Sequence, residues 1–243
     1  MRMLTFANRN TKEILRDPLT LFFGLGFPLV LILLLSAIQA NIPVKLFEIQ
    51  HLTPGITVFG LAFMTLFSAT IIAKDRSSSL MQRLYTTPLT PLDFILGYTL
   101  PIIPISVSQC VVCYIVAIVL GLDITINILY AVLCIIPVSI LYIALGLLCG
   151  SMLTDKQVGG ICGALLTNLS AWLSGVWFDL DLVGGTFKKI AYALPFVHAV
   201  EMERAVLAGD FTDAFPHFWW VLGYATLLML LAVLLFLRQM KRQ

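Results

Sequence analysis

Charged side chains are scarce in this sequence. Asp, Glu, Lys and Arg together make up 12% of the 243 residues, whereas hydrophobic residues make up 60%. Soluble domains usually carry about 25% charged residues, because their surfaces must face water. The composition therefore excludes a water-soluble globular domain and indicates a helical membrane protein, since each bilayer crossing needs about 20 apolar residues. The net charge of +2 is also too small to suggest a nucleic-acid partner.

The motifs of an enzyme are missing as well. No Gly-rich loop precedes Lys-Ser or Lys-Thr, so the chain has no phosphate-cradling nucleotide site. No nucleophile–base set stands out, and the three histidines are scattered. Cys110 and Cys113 have the spacing of a redox or zinc pair, but no second pair accompanies them, so all five cysteines are interpreted as apolar packing residues. We expect no catalytic residue, metal or cofactor in this chain.

Six apolar stretches have the length of a transmembrane helix and contain no Asp, Glu, Lys or Arg: residues 19–38, 54–73, 97–120, 128–150, 158–177 and 218–237. If the N-terminus is cytoplasmic, eleven of the fifteen basic residues lie inside and four outside. This asymmetry predicts that both termini are cytoplasmic. The sequence thus predicts one all-α membrane domain of six spans, residues 1–243.

Three further segments are predicted to be helical. Residues 2–17 resemble a helix lying in the membrane interface, with an apolar face that ends at Arg16-Asp17-Pro18. Between Lys74 and Asp93 a short amphipathic helix is expected on the cytoplasmic side. The only long external segment is residues 178–217. Its part 187–207 is too apolar for a free loop but is interrupted by Pro195, which favours one or two re-entrant or surface helices. The apolar face predicted for residues 2–17 consists of Met3, Leu4, Ala7, Ile14 and Leu15.

Ionisable residues are absent from the predicted spans. Ion-coupled carriers need groups that change charge near the midplane of the membrane, and these spans offer none. Energy for uphill transport would therefore come from another subunit. The cytoplasmic amphipathic helix is a plausible place to receive it.

Two patterns indicate contact surfaces. Gly146 with Gly150, and Gly159 with Gly163, have the spacing that lets helices approach closely; they fit a dimer or cavity face, or packing within one chain. A second pattern is an aromatic stripe on the second span, with a polar–aromatic pair on the fifth. Such a stripe is more often lipid-facing or part of the core, and the alternative is the wall of an apolar substrate cavity. The residues concerned are Phe59, Phe63, Phe67, Asn168 and Trp172.

The order of short motifs around these spans resembles the type-two permease family of ATP-binding-cassette exporters, over nearly the whole chain. The interfacial segment before Pro18, Pro28 in the first span and Pro54-Gly55 opening the second are similar to that family. Pro195, followed by Arg204 and Gly209, resembles its external re-entrant segment. The family's coupling segment is resembled by Asp75-Arg76, Leu80, Arg83-Leu84 and Thr87-Pro88, with serines where members often have a glycine.

The resemblance implies a half-transporter in a bacterial plasma membrane that forms a homodimer or heterodimer and binds two separate ATPase subunits, which hold ATP and Mg²⁺. It implies export of a lipophilic drug, peptide or lipid-like compound. A lipid-linked polysaccharide or teichoic acid is the alternative substrate. A membrane immunity or scaffold protein that binds without transporting is an alternative of another class. The implied ATPase-coupling residues are Asp75, Arg76, Leu80, Arg83 and Leu84.

Overall fold

A computed structural model describes residues 2–42, 47–78 and 90–240. All regular structure in these ranges is helical, which confirms the predicted all-α class. The α-helices are α1 (Arg2–Leu15), α2 (Pro18–Leu21), α3 (Phe27–Gln39), α4 (Ile49–Ser77), α5 (Pro91–Thr99), α6 (Ile102–Val119), α7 (Asn127–Met152), α8 (Asp155–Val158), α9 (Thr167–Leu173), α10 (Leu180–Val183), α11 (Gly185–Ala193), α12 (Pro195–Ala208) and α13 (Phe211–Met240). A π-helical segment, Phe22–Gly26, joins α2 to α3, and another, Gly159–Leu166, joins α8 to α9.

Five of the described helices are long and apolar enough to cross a bilayer: Phe22–Gln39, Ile49–Ser77, Leu92–Val119, Asn127–Met152 and Phe211–Arg238. The stretch predicted as the fifth of six spans, residues 158–177, is not among them. It is helical from Asp155 to Leu173, but the π-helical segment divides it, and Gly175 with φ +71° follows its end. The count of six spans therefore stays a prediction.

Helix α4 is the central helix of the bundle. Most of its residues from Leu52 to Ala73 are buried, because α7, α6, α12 and α3 all pack around it. Glycines of α7 allow the closest of these contacts. A Cβ at Gly150 would lie 2.7 Å from the carbonyl oxygen of Ala69, and one at Gly146 would overlap Ser68 and Thr65. Backbones this close gain dispersion contacts along their length, as is usual for membrane helices.

Helix α1 lies against α5. The Phe6 ring fills the space over Gly97, where a Cβ would overlap it, and packs edge-on against Tyr98 at 5.0 Å between ring centroids. The face that α1 turns to the bundle contains only part of the predicted apolar face. Phe6, Ala7, Asn10 and Ile14 are buried. The predicted face members Leu4 and Leu15 point away from the bundle, with exposures of 61% and 56%.

The predicted third span is interrupted at Leu100-Pro101, between α5 and α6, although the backbone dihedral angles stay helical and Leu92–Val119 runs on as one candidate span. Pro101 has no backbone N–H to bond the carbonyl of Gly97, four residues before it. The Asn10 side-chain amide donates to that carbonyl instead, over 3.0 Å. One turn of α1 thus satisfies the backbone group that the proline leaves free.

The segment expected to be external forms three helices, α10 to α12. The break between α11 and α12 falls at Leu194-Pro195, as the proline predicted. Gly209 ends α12 in the left-handed conformation, φ +83°, which favours glycine. Most of α12 is buried against α13, α4 and α7, so α12 belongs to the core of the bundle, whereas α10 and α11 are mostly exposed.

Candidate functional site

A buried carboxylate joins three helices near the end of α4. Asp75 is 2% exposed. Arg9 of α1 donates two hydrogen bonds to it, Nη1 to Oδ2 at 2.6 Å and Nη2 to Oδ1 at 2.9 Å. The Tyr98 hydroxyl of α5 donates to Oδ2 at 2.9 Å. Bidentate arginine–carboxylate pairs are among the strongest side-chain interactions, so α1, α4 and α5 are fixed to one another here.

The Arg9 guanidinium stays charged in this cluster. Burial lowers its pKa, but the hydrogen bonds and charge of Asp75, with the charge of Glu13, outweigh burial and raise the pKa above its ordinary value. Glu13 lies one turn along α1, 2.7 Å from Arg9 Nη2. The guanidinium of Arg9 therefore stays positively charged across the physiological pH range.

Arg76, the next residue, binds the end of a different helix. Its Nη1 donates to the carbonyl oxygens of Gly150, at 2.7 Å, and Leu153, at 3.3 Å. The last carbonyls of a helix have no intrahelical partner and carry partial negative charge, which a guanidinium neutralises. Asp75 and Arg76 together tie the end of α4 to α1, α5 and α7.

Two of the five predicted ATPase-coupling residues are therefore bound within the chain. Asp75 and Arg76 hold the root of the segment that follows α4. Leu80, Arg83 and Leu84 lie outside the described residues. Contact of this segment with an ATPase stays a prediction.

An open groove of about 840 Å³ lies beside the Asp75 cluster, between α1 and the end of α4. Both signs of charge line it, with the basic side chains in excess. The lining includes Arg9, Lys12, Arg16, Lys74, Glu13 and Asp17. Such a surface suits a polar partner rather than an apolar one.

The aromatic stripe of α4 is buried between α4 and the first helical stretch. Phe63 contacts Phe23 at 5.8 Å and Phe27 at 5.6 Å between ring centroids. Phe67 lies against Gly24, where a Cβ would be 2.7 Å from its ring. Phe59 contacts Trp177 at 5.5 Å. The three phenylalanines of the stripe thus share one aromatic layer in the interior.

The predicted partners of this stripe lie on another surface. Asn168 and Trp172 are exposed, Trp172 to 52%, on the helical stretch formed by α8, the π-helical segment and α9. Gly160 and Ala164 continue this exposed row at intervals of four residues. The structure therefore does not bring Asn168 and Trp172 to the aromatic stripe.

The four glycines predicted to pack against other helices differ in how closely other atoms surround them. Gly146 and Gly150 are in tight contact with α4, as described above. A Cβ at Gly163 would be 3.3 Å from Leu66 of α4, whereas one at Gly159 would have nothing within 4 Å. The first pair is thus used within the chain, and Gly159 lies on an open surface.

Arg204 of α12 fastens the opposite end of α4. Its guanidinium donates to the carbonyl oxygens of His51, at 3.4 Å, and Gly175, at 3.1 Å, and to Glu201 Oε1 at 2.8 Å. The start of α4, the end of α9 and the α12 helix are joined by this one side chain. Helix α4 thus has an arginine-centred connection at each end.

Two histidines, His198 of α12 and His217 of α13, are in contact. His198 Nδ1 lies 2.7 Å from His217 Nδ1, and His198 Nε2 lies 3.0 Å from the Tyr192 carbonyl oxygen. A carbonyl only accepts, so His198 carries its proton on Nε2 when neutral, and His217 donates to its Nδ1. Burial lowers the pKa of His198, which favours this neutral arrangement.

Arg9, Tyr98 and Glu203 are not among the residues that the sequence predicts. Arg9 lies next to Asn10 on a helix assigned to the interface, and Tyr98 lies inside an apolar stretch. The i, i+4 pair of Arg9 with Glu13 was the available signal for an ordered arginine. Glu203 was assigned to an external segment, and nothing in its neighbourhood of the sequence predicts that it is completely buried.

The sequence matches the profile of a known protein family. The profile of the ABC-2 type transporter family matches residues 2–208. No curated protein matches the chain. The matched range begins in α1 and ends with α12, so it contains both arginine-centred connections of α4.

Proposed function

The chain belongs to the ABC-2 type transporter family, and from this premise we propose that it exports a lipophilic or amphiphilic compound. Membership makes it a transmembrane subunit of an ABC transporter, whose ATPase partners hydrolyse ATP. In our proposal two copies of the chain, or this chain and a related one, form the pathway. The compound leaves the cytoplasm or the inner leaflet when the ATPase subunits close.

The observation that carries the proposal is the connection at Asp75. The segment after α4 begins three residues beyond this carboxylate, and Asp75 and Arg76 bind α1, α5 and α7. A force applied to that segment would move these helices together rather than bend one of them. Helix α4, about 44 Å long for its 29 residues, would transmit the movement to Arg204 at its other end.

The aromatic layer supports an amphiphilic substrate. Phe59 and Phe63 lie under Phe27, Phe63 also contacts Phe23, and Phe67 lies under Gly24. A displacement of the first helical stretch would uncover all three rings. Aromatic surface gives affinity in proportion to buried apolar area, about 25 cal/mol per Å². An aromatic surface selects a substrate by its size and hydrophobicity more than by one hydrogen-bonding pattern.

The exposed row on the α8–α9 stretch supports assembly with a second permease copy. Asn168 and Trp172 are exposed, in line with Gly160 and Ala164. A polar side chain facing lipid is unfavourable, and small residues let another helix approach. In this proposal a second copy covers the row, with Gly159 at its edge.

The proposal is tested by transport in reconstituted vesicles. The permease is purified with the ATPase that accompanies it, and ATP-dependent uptake is measured for amphiphiles of graded size. Phe63→Ala should slow transport of the largest compounds more than that of the smallest, because it removes apolar contact area. Phe22→Ala, which truncates a phenylalanine that is 53% exposed, is the matched control and should leave the size order unchanged. No ATP-dependent transport of any compound, or equal effects of both variants, would contradict the proposal.

A further inference from the structure

Glu203 is a completely buried carboxyl group in the core of the bundle. Its residue exposure is 0%, and neither carboxyl oxygen has a hydrogen-bond partner among the described residues. It lies on α12 between Met202 and Arg204, and Arg204 is directed away from it, toward Glu201 and the carbonyl oxygens of His51 and Gly175. A carboxyl in this position is unusual because burial normally requires a partner.

The groups that face Glu203 are acidic or neutral. Its charge would act on Cys110 and Tyr114 of α6 and on Cys134 of α7. The Tyr114 hydroxyl is also buried and has no hydrogen-bond partner in the described ranges, and the same holds for Gln109 Oε1 on the same helix. Three unsatisfied polar groups therefore lie on α6 and α12.

The helices packed on α12 supply no cation to Glu203. Between residues 52 and 73, α4 contains no ionisable side chain, and α9 contains none. From α13, His217 binds His198, and the Tyr224 hydroxyl donates to the Ala193 carbonyl. From α11, Lys188 binds Asp181. Nothing in the described part of the chain neutralises a negative charge on Glu203.

A buried, unpaired carboxylate is strongly disfavoured, and such a group takes up a proton instead. Burial raises the pKa of the Glu203 carboxyl well above its usual range. The neutral acid fits this site because a proton needs no additional space.

We infer that Glu203 binds a proton while α12 is packed against α4, α7 and α13, and releases it when α12 moves away and water reaches the carboxyl. In that step the carboxyl O–H bond breaks and the proton passes to water, and no electron is transferred. Glu203 is then an ion-binding site linked to the position of α12. The inference holds whichever compound the protein transports.

The linkage has a definite sign. The packed state holds one proton more than the open state at any pH between the ordinary glutamate pKa, about 4.3, and the raised pKa of the packed state. Rising pH in this window therefore favours the open state, by up to tenfold in the ratio of open to packed protein per pH unit. Replacing Glu203 with Gln, which is neutral and similar in shape, should abolish this dependence.

The protonation state can be measured directly in purified protein. Infrared spectra near neutral pH should contain the C=O stretching band of a protonated carboxylic acid, and Glu203→Gln should remove it. Glu201→Gln, two residues away on the same helix and bound to Arg204, is the matched control and should leave the band unchanged. If Glu203→Gln does not fold, wild-type protein labelled isotopically in its glutamate carboxyls carries the same test. Absence of a protonated glutamate band would overturn the inference.

The link to opening is measured at a native thiol. Cys110 is fully buried and within reach of the charge of Glu203, so its reaction with a water-soluble maleimide, located by mass spectrometry, reports water access. The ratio of wild-type to Glu203→Gln rates should rise with pH, by up to tenfold per unit. A negatively charged carboxylate at Glu203 disfavours the thiolate of Cys110 and would by itself slow its reaction with maleimide. A rise of the rate ratio with pH therefore cannot come from that charge acting directly on the thiol. A ratio independent of pH would overturn the link, and neither measurement depends on transport.

Discussion

At the scale of single residues, the two ends of α4 are held by arginines that use different acceptors. Arg9 reaches a buried carboxylate, and Arg204 reaches two backbone carbonyls and a partly exposed carboxylate. Exposed ion pairs contribute about 0–1 kcal/mol, whereas removing the partner of a buried one leaves an unsatisfied group. The Asp75 connection is therefore expected to be the more important for stability.

Asp75→Asn should destabilise the protein, because it removes the charge that binds Arg9 and one acceptor shared with Tyr98. The expected loss is about 1.5–3 kcal/mol, the usual range for hydrogen bonds to a charged group. Thermal unfolding in detergent measures it, and ATP-driven transport should fall with it.

Glu13→Gln is the matched control for this variant. Glu13 also binds Arg9, but its side chain is 36% exposed, so its loss should cost about 0–1 kcal/mol. Equal destabilisation by both variants would mean that Asp75 does not organise this end of the bundle.

At the scale of helices, the sequence predicts apolar stretches better than helix ends. Helix α4 begins at Ile49 rather than residue 54, and α13 at Phe211 rather than 218, because helices continue past the apolar region into polar residues. The break at Pro101 was not predicted, because an apolar run does not reveal which partner will take a free carbonyl. That partner, Asn10, is 87 residues away from Gly97 in the sequence.

The same dependence on contacts between distant residues explains why the candidate site was predicted only in part. The helical spacing of Phe59, Phe63 and Phe67 correctly places them on one face, but the partner of that face depends on tertiary packing. Phe23, Phe27 and Trp177 contact it, and Trp172 is exposed. Contacts between distant elements need the fold, whereas contacts within one helix follow from its period.

The close contact between α4 and α7 predicts that a larger residue at Gly146 destabilises the protein. Gly146→Ala places a methyl group where Ser68 and the Thr65 carbonyl already lie, so α4 and α7 must separate. Overpacking of this kind costs about 1–3 kcal/mol. The fraction of protein that survives heating as a single species in detergent should fall.

Gly223→Ala on α13 controls for the change of residue type. A Cβ there has nothing within 4 Å, and alanine favours helix by up to about 1 kcal/mol over glycine. This variant should be as stable as the wild type or slightly more so. If Gly146→Ala were equally well tolerated, close approach at Gly146 would not determine how α4 and α7 pack.

At the scale of the whole molecule, the two ends of α4 define two faces of the bundle. The face with α1 and Asp75 carries the groove rich in basic residues, and the face with α12 carries Arg204 and the histidine pair. Positive residues favour the cytoplasmic side of a membrane. The basic asymmetry, eleven residues against four, therefore predicts that the α1 face is cytoplasmic.

Thiol labelling in intact cells measures this orientation. In a background without the native five cysteines, single cysteines at Gln50 and Thr186, both exposed on the α12 face, should react with a membrane-impermeant reagent. One at Ser78, exposed at the end of α4 near Asp75, should react only after the cells are opened. Thr186 is preferable to Gly184, whose φ of +61° would strain a cysteine. Labelling of the Ser78 variant in sealed cells, without labelling at Gln50, would reverse the orientation. The segment after α4 would then face outward, where no ATP-hydrolysing subunit could reach it.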